Sequence, residues 1–531
     1  MSKAAAASIA LTGRSIVAGE IAGDGGQQFT GYHPGDGRVL EPAYSSASVE
    51  DVERAVNAAV AAAPIYANIS GAERGRFLRA IADGLDSAVV QLIERAQLET
   101  ALPIPRLTGE VGRTSGQLRL FATVVEEGSW VNARIDTADP ERTPPRPDMR
   151  SMLRPLGPIA VFGASNFPLA FSAAGGDTAS ALAAGNPVIF KGHPAHPGTG
   201  ELAGRIIADA LRACGLPAGI FSLLFDAGHQ VGSILVKHPA IQAVAFTGSF
   251  RGGRALMDLA VQRHQPIPVY AEMGSTNPVF VLPGVLAARS EELAKELHSS
   301  FTLGGGQFCT KPGMVFAEQV AAGTFVETLR RATSSGPAFS LLTAGIASAY
   351  KDANSKRTAL ITAEGATGEV GFAAQPILVE TTREQFLQNP SLSEEIFGPT
   401  TLLVHVSGKE QILQAANNLE GHLTATILGT EDDLIEYGEL LRILEAKVGR
   451  VIFNAFPTGV EVCHSMVHGG PYPSTSDGRS TSVGSQAIFR FVRPIAYQGL
   501  PQWTLSPALQ DDNPLGILRL YNGAWAGKKS E

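Results

Sequence analysis

Cysteine is scarce in this chain: there are three in 531 residues, at positions 214, 309 and 463. Thiols so few and so scattered build no disulfide framework, which argues against a stapled secreted domain and suits a reducing compartment. A basic excess is missing too. Forty-two Lys and Arg stand against 50 Asp and Glu, for a net charge of -8, and no basic tract occurs, so no nucleic-acid partner is expected. Long apolar runs are also lacking. The longest charge-free stretch, residues 155–176, is interrupted by Pro158, Asn166 and Pro168 and reads as a strand, a loop and a helix start, with no membrane partner. The start, residues 1–11, has one lysine and a short alanine run but no sustained Leu/Val core, so it is not read as a secretory leader and the expected location is cytoplasmic. Repeats and low-complexity segments are absent from the sequence. So is a Gly-x-Gly-x-x-Gly fingerprint in the Rossmann position, so any dinucleotide would be held in another way.

What is present is an ordinary globular composition, 44% hydrophobic and 17% charged, in a chain too long for one core. Residues 15–41 alternate short apolar pieces with Gly-rich turns, the pattern of a small antiparallel ribbon. Ser48-Val49-Glu50-Asp51 then opens a helix on which Val52, Ala55, Val56 and Ala59 recur at helical spacing. Further helices are expected over residues 72–85, 87–100 and 107–127. From residue 158 to 246 strands alternate with helices, which argues a parallel sheet with crossover helices and a ligand at the carboxyl ends of its strands. A second alternation runs from Val279 to Ile452. Between the helical layer and the first sheet, residues 135–154 are rich in Pro, Arg and Asp and read as an exposed segment.

Four stretches carry chemistry. Gly304-Gly305-Gly306-Gln307-Phe308-Cys309-Thr310 presents a thiol behind residues that let a ligand approach the backbone. Gly163-Ala164-Ser165-Asn166-Phe167-Pro168 offers a side-chain amide. Phe246-Thr247-Gly248-Ser249 offers a strand end, a glycine turn and a serine able to cap a helix and donate to a phosphate. Glu272-Met273-Gly274 offers a carboxylate at a strand end. Each alone has an ordinary structural explanation: a buried thiol, a turn, an N-cap. With a fifth motif, Glu395-Ile396-Phe397-Gly398-Pro399, they stand in one order and together resemble the aldehyde dehydrogenase superfamily over roughly residues 13–498. Within it the chain is most similar to the 2,5-dioxopentanoate (α-ketoglutarate semialdehyde) dehydrogenases and their fatty-aldehyde relatives, the run Gly469–Gly484 being the strongest sign.

The resemblance implies an α/β fold of two Rossmann-like parallel-sheet domains, one for cofactor and one for catalysis, with a small β oligomerisation arm. Residues 1–134 would begin the cofactor-binding domain, 135–154 form the first arm segment, 155–270 complete the cofactor-binding domain, 271–480 form the catalytic domain, and 481–531 hold the return strand of the arm and a tail. A homodimer or homotetramer is implied. Cys309 would add to an aldehyde carbon, the carbon of the adduct would give its hydride to NADP or NAD, and a thioester would remain for water. Asn166 and the Cys309 N–H would donate to the oxyanion. Glu272 would activate the water, a task suited to a carboxyl of raised pKa, and the thiol would need a lowered pKa or help in losing its proton.

Cofactor contacts are implied at Lys191, Gly248, Ser249, Gly274, Glu395, Phe397, His229 and Ser165, the last where many relatives have tryptophan. Residues 192–200 hold no acid, and Pro194 stands where NAD-preferring relatives often place one; His193 and His196 could turn toward an anion, so NADP is preferred over NAD. The chain departs from the common Glu-Leu-Gly-Gly form at Met273 and Ser275. Cys463, His464 and His468 lack a fourth ligand and are read as lining the aldehyde pocket or packing in a loop, with no metal. Phe171, Phe301 and Phe456 are candidate pocket walls, and Arg479 a candidate cation for a substrate carboxylate. Two other classes remain open: a cofactor-free cysteine hydrolase, which needs a histidine against Cys309 with His298 nearest along the chain, and a non-catalytic binding protein.

Overall fold

The computed structural model describes residues 9–23 and 26–527. The alanine-rich start through residue 8, Asp24 and Gly25 of the first Gly-rich turn, and the last four residues of the tail lie outside the described residues. Helix Val49–Tyr66 opens on a reciprocal capping box between Ser48 and Asp51 and buries Val52, Ala55, Val56 and Ala59 along one stripe. Helices Gly71–Ser87 and Val89–Thr100 follow. The next, α1 (Ile104–Glu127), starts three residues earlier than its apolar pattern suggests, because Pro105 sits in the first turn, where its missing N–H breaks no bond.

Five parallel strands form the first sheet: β1 (Ile159–Phe162), β2 (Val188–Lys191), β3 (Phe221–Leu224), β4 (Ala243–Thr247) and β5 (Val269–Glu272), in the spatial order β5-β4-β1-β2-β3. Both faces are covered, Ile159 and Val161 by one core and Ala160 by the opposite one, which is why these strands read as continuous apolar runs. The expected N-terminal ribbon is two pieces. Ser15–Val17, fully buried, forms a hairpin with Glu20–Ala22 and joins it to the sheet antiparallel to β3 through Ile16 and Leu223, while Gln28–Tyr32 pairs separately with Val39–Ser45. Local hairpin pairing holds in both pieces, and burial of Ile16 and Val17 adds the first of them to the sheet.

Helix α2 (Phe250–Val261) connects β4 to β5. The second sheet has β6 (Val279–Val281), β7 (Met314–Glu318), β8 (Ile377–Thr382), β9 (Thr400–Val406), β10 (His422–Leu428) and β11 (Val448–Phe453) in the order β8-β9-β7-β6-β10-β11, all parallel, with Leu360–Glu364 antiparallel at the β8 edge. Helix α3 (Pro283–Thr302) runs from β6 to the glycine run before Cys309. The fold is thus α/β with two parallel-sheet units.

A third sheet joins distant parts of the chain. Met149–Pro155 pairs antiparallel with Val492–Gln498, and Arg134–Asp136, Arg519–Tyr521 and Ala524–Ala526 complete five strands over a small core containing Ile135, Met152, Leu509 and Ile517. The segment around residues 135–154 is therefore paired, and the tail, silent in sequence, supplies strands to it. Among the described residues no helix is long and apolar enough to cross a membrane.

Candidate active site

The carboxyl ends of β1, β2, β4 and β5 fall in one row, with Phe162 level with Lys191 and Phe246, and Thr247 level with Glu272. That row carries the nucleotide-type motifs. Ser249 caps α2 by accepting from Gly252 N–H at 3.2 Å, and no acid occupies the helix's first turn. The N-terminus is therefore free to meet an anion, which fits a pyrophosphate. Gly248 N–H donates to Glu272 O at 3.0 Å and so ties the end of β4 to the end of β5. A Cβ on Gly274 would lie 2.3 Å from Glu395 Oε2, so only glycine lets the two motifs close on each other.

Lys191 sits half-buried at the end of β2, with its ammonium pKa lowered by burial against the pull of Asp226. Asp226 gives both carboxylate oxygens to the Gly228 and Val231 N–H groups. His229, next to it, is exposed at the start of the following helix. His196 is not free to turn toward an anion, as the sequence had allowed. It is fully buried, bonded through Nε2 to the Ala164 carbonyl at 2.9 Å and stacked with His193, and burial lowers both imidazole pKa values.

Glu395 and Phe397 are held in place from beneath. Lys311, 1% exposed, donates from Nζ to the Ile396 and Thr400 carbonyls at 2.9 Å each, bracketing the motif. Burial raises the Glu395 carboxyl, with the Lys311 charge acting against it.

The thiol arrives by a different route. After α3, Gly304, Gly305 and Gly306 all take positive φ of 57–67°, and a Cβ on Gly306 would overlap the Gly398 carbonyl at 2.2 Å. Any side chain there would push apart the nucleophile loop and the Glu395 turn. Asn277 Nδ2 then donates to the Cys309 and Lys311 carbonyls at 2.8 and 2.9 Å and pins the loop to the start of β6.

Three groups surround the Cys309 sulfur. Asn166, buried, donates from Nδ2 to the Gln307 carbonyl at 2.9 Å, which sets its amide two residues from the thiol. Glu272, 1% exposed, accepts from Ser482 Oγ at 2.7 Å and pairs with His468 Nε2 at 3.0 Å. The same Nε2 lies 3.5 Å from Cys309 Sγ. The ligand atoms of Glu272, Cys309 and His468 all lie within 4.8 Å of one another.

His468 was read from sequence only as a pocket or loop residue beside Cys463 and His464. The structure separates them: His464 is exposed and His468 is buried at the thiol. Its signal was the requirement for a histidine against Cys309. His298, nearest along the chain, packs instead on Phe301 and Thr333.

The loop Gly469–Gly484 builds this arrangement. Ser474 O accepts from Met273 N–H at 2.7 Å, Ser476 Oγ accepts from Ala271 N–H at 2.8 Å, and Ser482 Oγ also reaches the His468 carbonyl at 3.0 Å.

The titration pattern differs from the simplest expectation. Burial raises the Cys309 thiol well above its usual range, and the Glu272 charge adds to this. Of the two routes expected for the thiol, assisted proton loss is thus the one the surroundings favour. For Glu272, burial pushes upward, but the nearby His468 charge and the bonds from His468 and Ser482 outweigh it, leaving the carboxyl below its ordinary value. The expected raised pKa of Glu272 is corrected: it is an ionised acceptor at neutral pH.

Around the thiol, Phe167, Phe171, Ala164, Val460, Val462, Met466 and Val483 form an apolar cluster. Phe301 belongs instead to the core of the second sheet, and Phe456 packs against that core. Arg479 is 92% exposed at its side chain and pairs with Asp477, so it is not a pocket cation.

The description "Aldehyde dehydrogenase family" matches residues 21–492. The chain is 48% identical over 520 residues to an alpha-ketoglutaric semialdehyde dehydrogenase 2 of Azospirillum brasilense, covering 97% of this chain and 99% of the relative. It is 46% identical over 488 residues to an alpha-ketoglutaric semialdehyde dehydrogenase of Acinetobacter baylyi, covering 90% and 92%. Among solved structures it superposes on a 3,6-anhydro-L-galactose dehydrogenase in complex with NAP, with a TM-score of 0.78 at 22% identity over 91% of this chain and 99% of that one. It also superposes on PnpE in complex with nicotinamide adenine dinucleotide, with a TM-score of 0.77 at 22% identity over 91% and 96%.

Proposed function

The chain belongs to the aldehyde dehydrogenase family and is an NAD(P)-dependent enzyme, and from that premise we propose that it oxidises 2,5-dioxopentanoate, α-ketoglutarate semialdehyde, to 2-oxoglutarate through a thioester on Cys309. The observation that carries this reading is the meeting of residues 166, 272 and 309 around one sulfur. The relatives from Azospirillum brasilense and Acinetobacter baylyi support the substrate.

In the proposed mechanism Cys309 loses its proton to a neighbouring base and its sulfur adds to the aldehyde carbon. Nε2 of His468 has room for a single hydrogen. It either donates to Glu272 or takes the thiol proton, so the two neighbours compete for it. The Asn166 amide and the Cys309 N–H donate to the new oxyanion, an arrangement of which one donor is typically worth ~10²–10³ in rate. Lys191 and Ser249 at the strand ends, together with Glu395, would hold NAD(P)⁺, which would supply the hydride acceptor for the adduct carbon. Glu272, already ionised, then takes a proton from water as the water attacks the thioester carbon, and the thiolate leaves with the acid as product.

Lys191 and His229 would serve the adenosine end, Gly248 and Ser249 the pyrophosphate, and Gly274, Glu395, Phe397 and Ser165 the nicotinamide end, with NADP preferred over NAD. The five-stranded sheet would be the arm that pairs subunits in a homodimer or homotetramer, in the cytoplasm.

A second reading, a medium- or long-chain aldehyde as substrate, has the apolar wall of Phe167, Phe171, Val462 and Met466 in its favour. Turnover of 2,5-dioxopentanoate against decanal separates the two, and equal kcat/KM values would end the preference. Glu272→Gln tests the chemistry. It is expected to release one equivalent of reduced cofactor rapidly and then slow by ~10²–10⁴-fold at thioester hydrolysis. Undiminished steady turnover in that variant would remove Glu272 from the role of base.

A further inference from the structure

Two arginines that no motif marks stand beside the thiol. Arg106 and Arg113 are seven residues apart on α1, two turns along one face, with Glu110 between them. Arg106 lies directly over the nucleophile loop, and a Cβ on Gly304 would come within 2.6 Å of its Nη1. Its guanidinium carbon is 4.4 Å from the Phe308 ring centre and 4.9 Å from that of Phe167. The Arg113 carbon is 4.9 Å from the Phe171 ring centre. Arg106 thus rests on Phe308, next to Cys309 in sequence, and Arg113 on Phe171, whose ring faces His468, so both border the thiol's surroundings.

Their donors are largely unused. Arg106 Nη2 donates to the Asn166 carbonyl at 2.8 Å, but its Nη1, and Nε and Nη2 of Arg113, are buried without a partner. Glu110 acts on both charges from a distance, but its carboxylate bonds to backbone N–H groups and not to either guanidinium. Its Oε1 accepts from the Leu169 and Ala170 N–H groups at 2.9 and 3.0 Å, and burial raises its pKa. Buried guanidinium N–H groups are costly to leave unpaired, and their fork matches a carboxylate. An alkyl tail in this pocket would leave those donors unanswered.

We propose that Arg106 and Arg113 bind the carboxylate at the far end of the substrate and so select a short oxo-acid aldehyde over an uncharged one. The rings of Phe167, Phe171 and Phe308 hold the two guanidinium planes, and the aldehyde end points to Cys309. The proposal rests on the oxo-acid reading above and names the residues that enforce it.

The test compares wild type with Arg106→Met, Arg113→Met and Arg113→Lys, each checked for a native melting transition. Glutarate and 1-pentanol, of which only the first carries a carboxylate for the clamp, are assayed for protection of Cys309 against iodoacetamide, a readout independent of turnover. Glutarate is expected to protect wild type at about tenfold or more lower concentration than 1-pentanol. That advantage should collapse in the Met variants and survive in part in Arg113→Lys. In parallel the ratio of kcat/KM for 2,5-dioxopentanoate to that for pentanal should fall by roughly 10- to 100-fold in the Met variants, mainly through KM. An equal advantage of glutarate in wild type and both Met variants, or none in wild type, overturns the clamp. Faster turnover of decanal than of the oxo acid by wild type, with the glutarate advantage intact, would instead sink the substrate reading and leave the clamp standing.

Discussion

At the carboxyl edge of the first sheet, the residues assigned to the cofactor sit at or within a few positions of a strand end: Lys191 closes β2, and Ser249 follows β4 by two residues. Around the aldehyde pocket the opposite holds. Glu272 ends a strand, Arg106 and Arg113 lie on one early helix, and Asn166, Cys309 and His468 come from three separate loops. The first region is a row fixed by strand register, where one β-pairing places several contacts at once. The second is a convergence, where each member depends on a separate long-range bond such as Asn166 to Gln307 or Ser482 to Glu272. Substitutions in the row should therefore change binding with little effect on chemistry, and those in the convergence should change chemistry.

The sharpest way to break that contrast is Cys309→Ala. Steady turnover should drop on the order of 10⁴-fold or more, while the dissociation constant of the cofactor, read by fluorescence quenching, stays within about twofold. A large loss of cofactor affinity would mean the two regions are not separable.

Next in size is His468→Gln, expected to lower kcat by about 10- to 100-fold because Glu272 remains as an acceptor. The sign of its pH effect follows from the neighbours. His468 contributes to holding the Glu272 carboxyl low, so without it that pKa rises. Hydrolysis needs the carboxylate, and the acidic limb of the kcat profile should therefore move to higher pH, with a greater loss near pH 5 than at pH 8. An unmoved limb would show that the 3.0 Å contact does not govern Glu272.

The same contrast explains what could be read before the fold was known. Cys309, Glu272 and Asn166 each lie in a short motif whose neighbours also have local duties: Gly304–Gly306 must take positive φ, and Gly274 must admit Glu395. Those duties leave marks in sequence. His468 has none, because it reaches the thiol through a loop held by Thr481 and Ser482, while His464 is exposed and the Cys463 sulfur lies against Ser465. Arg106 and Arg113 were invisible for a related reason. On a helix, charged residues at spacing seven usually mark a solvated face, and only the packing of Phe167, Phe171 and Phe308 against them reveals an interior one. The third sheet came only from the resemblance, as an arm, and not from the residues themselves, because three of its strands are only three residues long, too short for a pattern.

The smallest expected effect sharpens the comparison from the cofactor side. Pro194 follows β2 by three residues, in a segment free of acids, and Asp226, which acts on Lys191, has both oxygens committed to backbone N–H groups. An acid placed at 194 would thus be the first one free to meet a ribose. Pro194→Asp should repel a 2′-phosphate by about 1 kcal/mol per unit of phosphate charge at a separation of ~5 Å in near-aqueous surroundings, or roughly fivefold. The ratio of kcat/KM for NADP to that for NAD should fall by that factor, through KM, while the rate of thioester hydrolysis stays the same. Because a surface carboxylate is screened by salt, the shift should shrink between low and 0.5 M ionic strength. A salt-independent change would implicate the altered backbone, and an unchanged ratio would move the 2′ position away from residue 194.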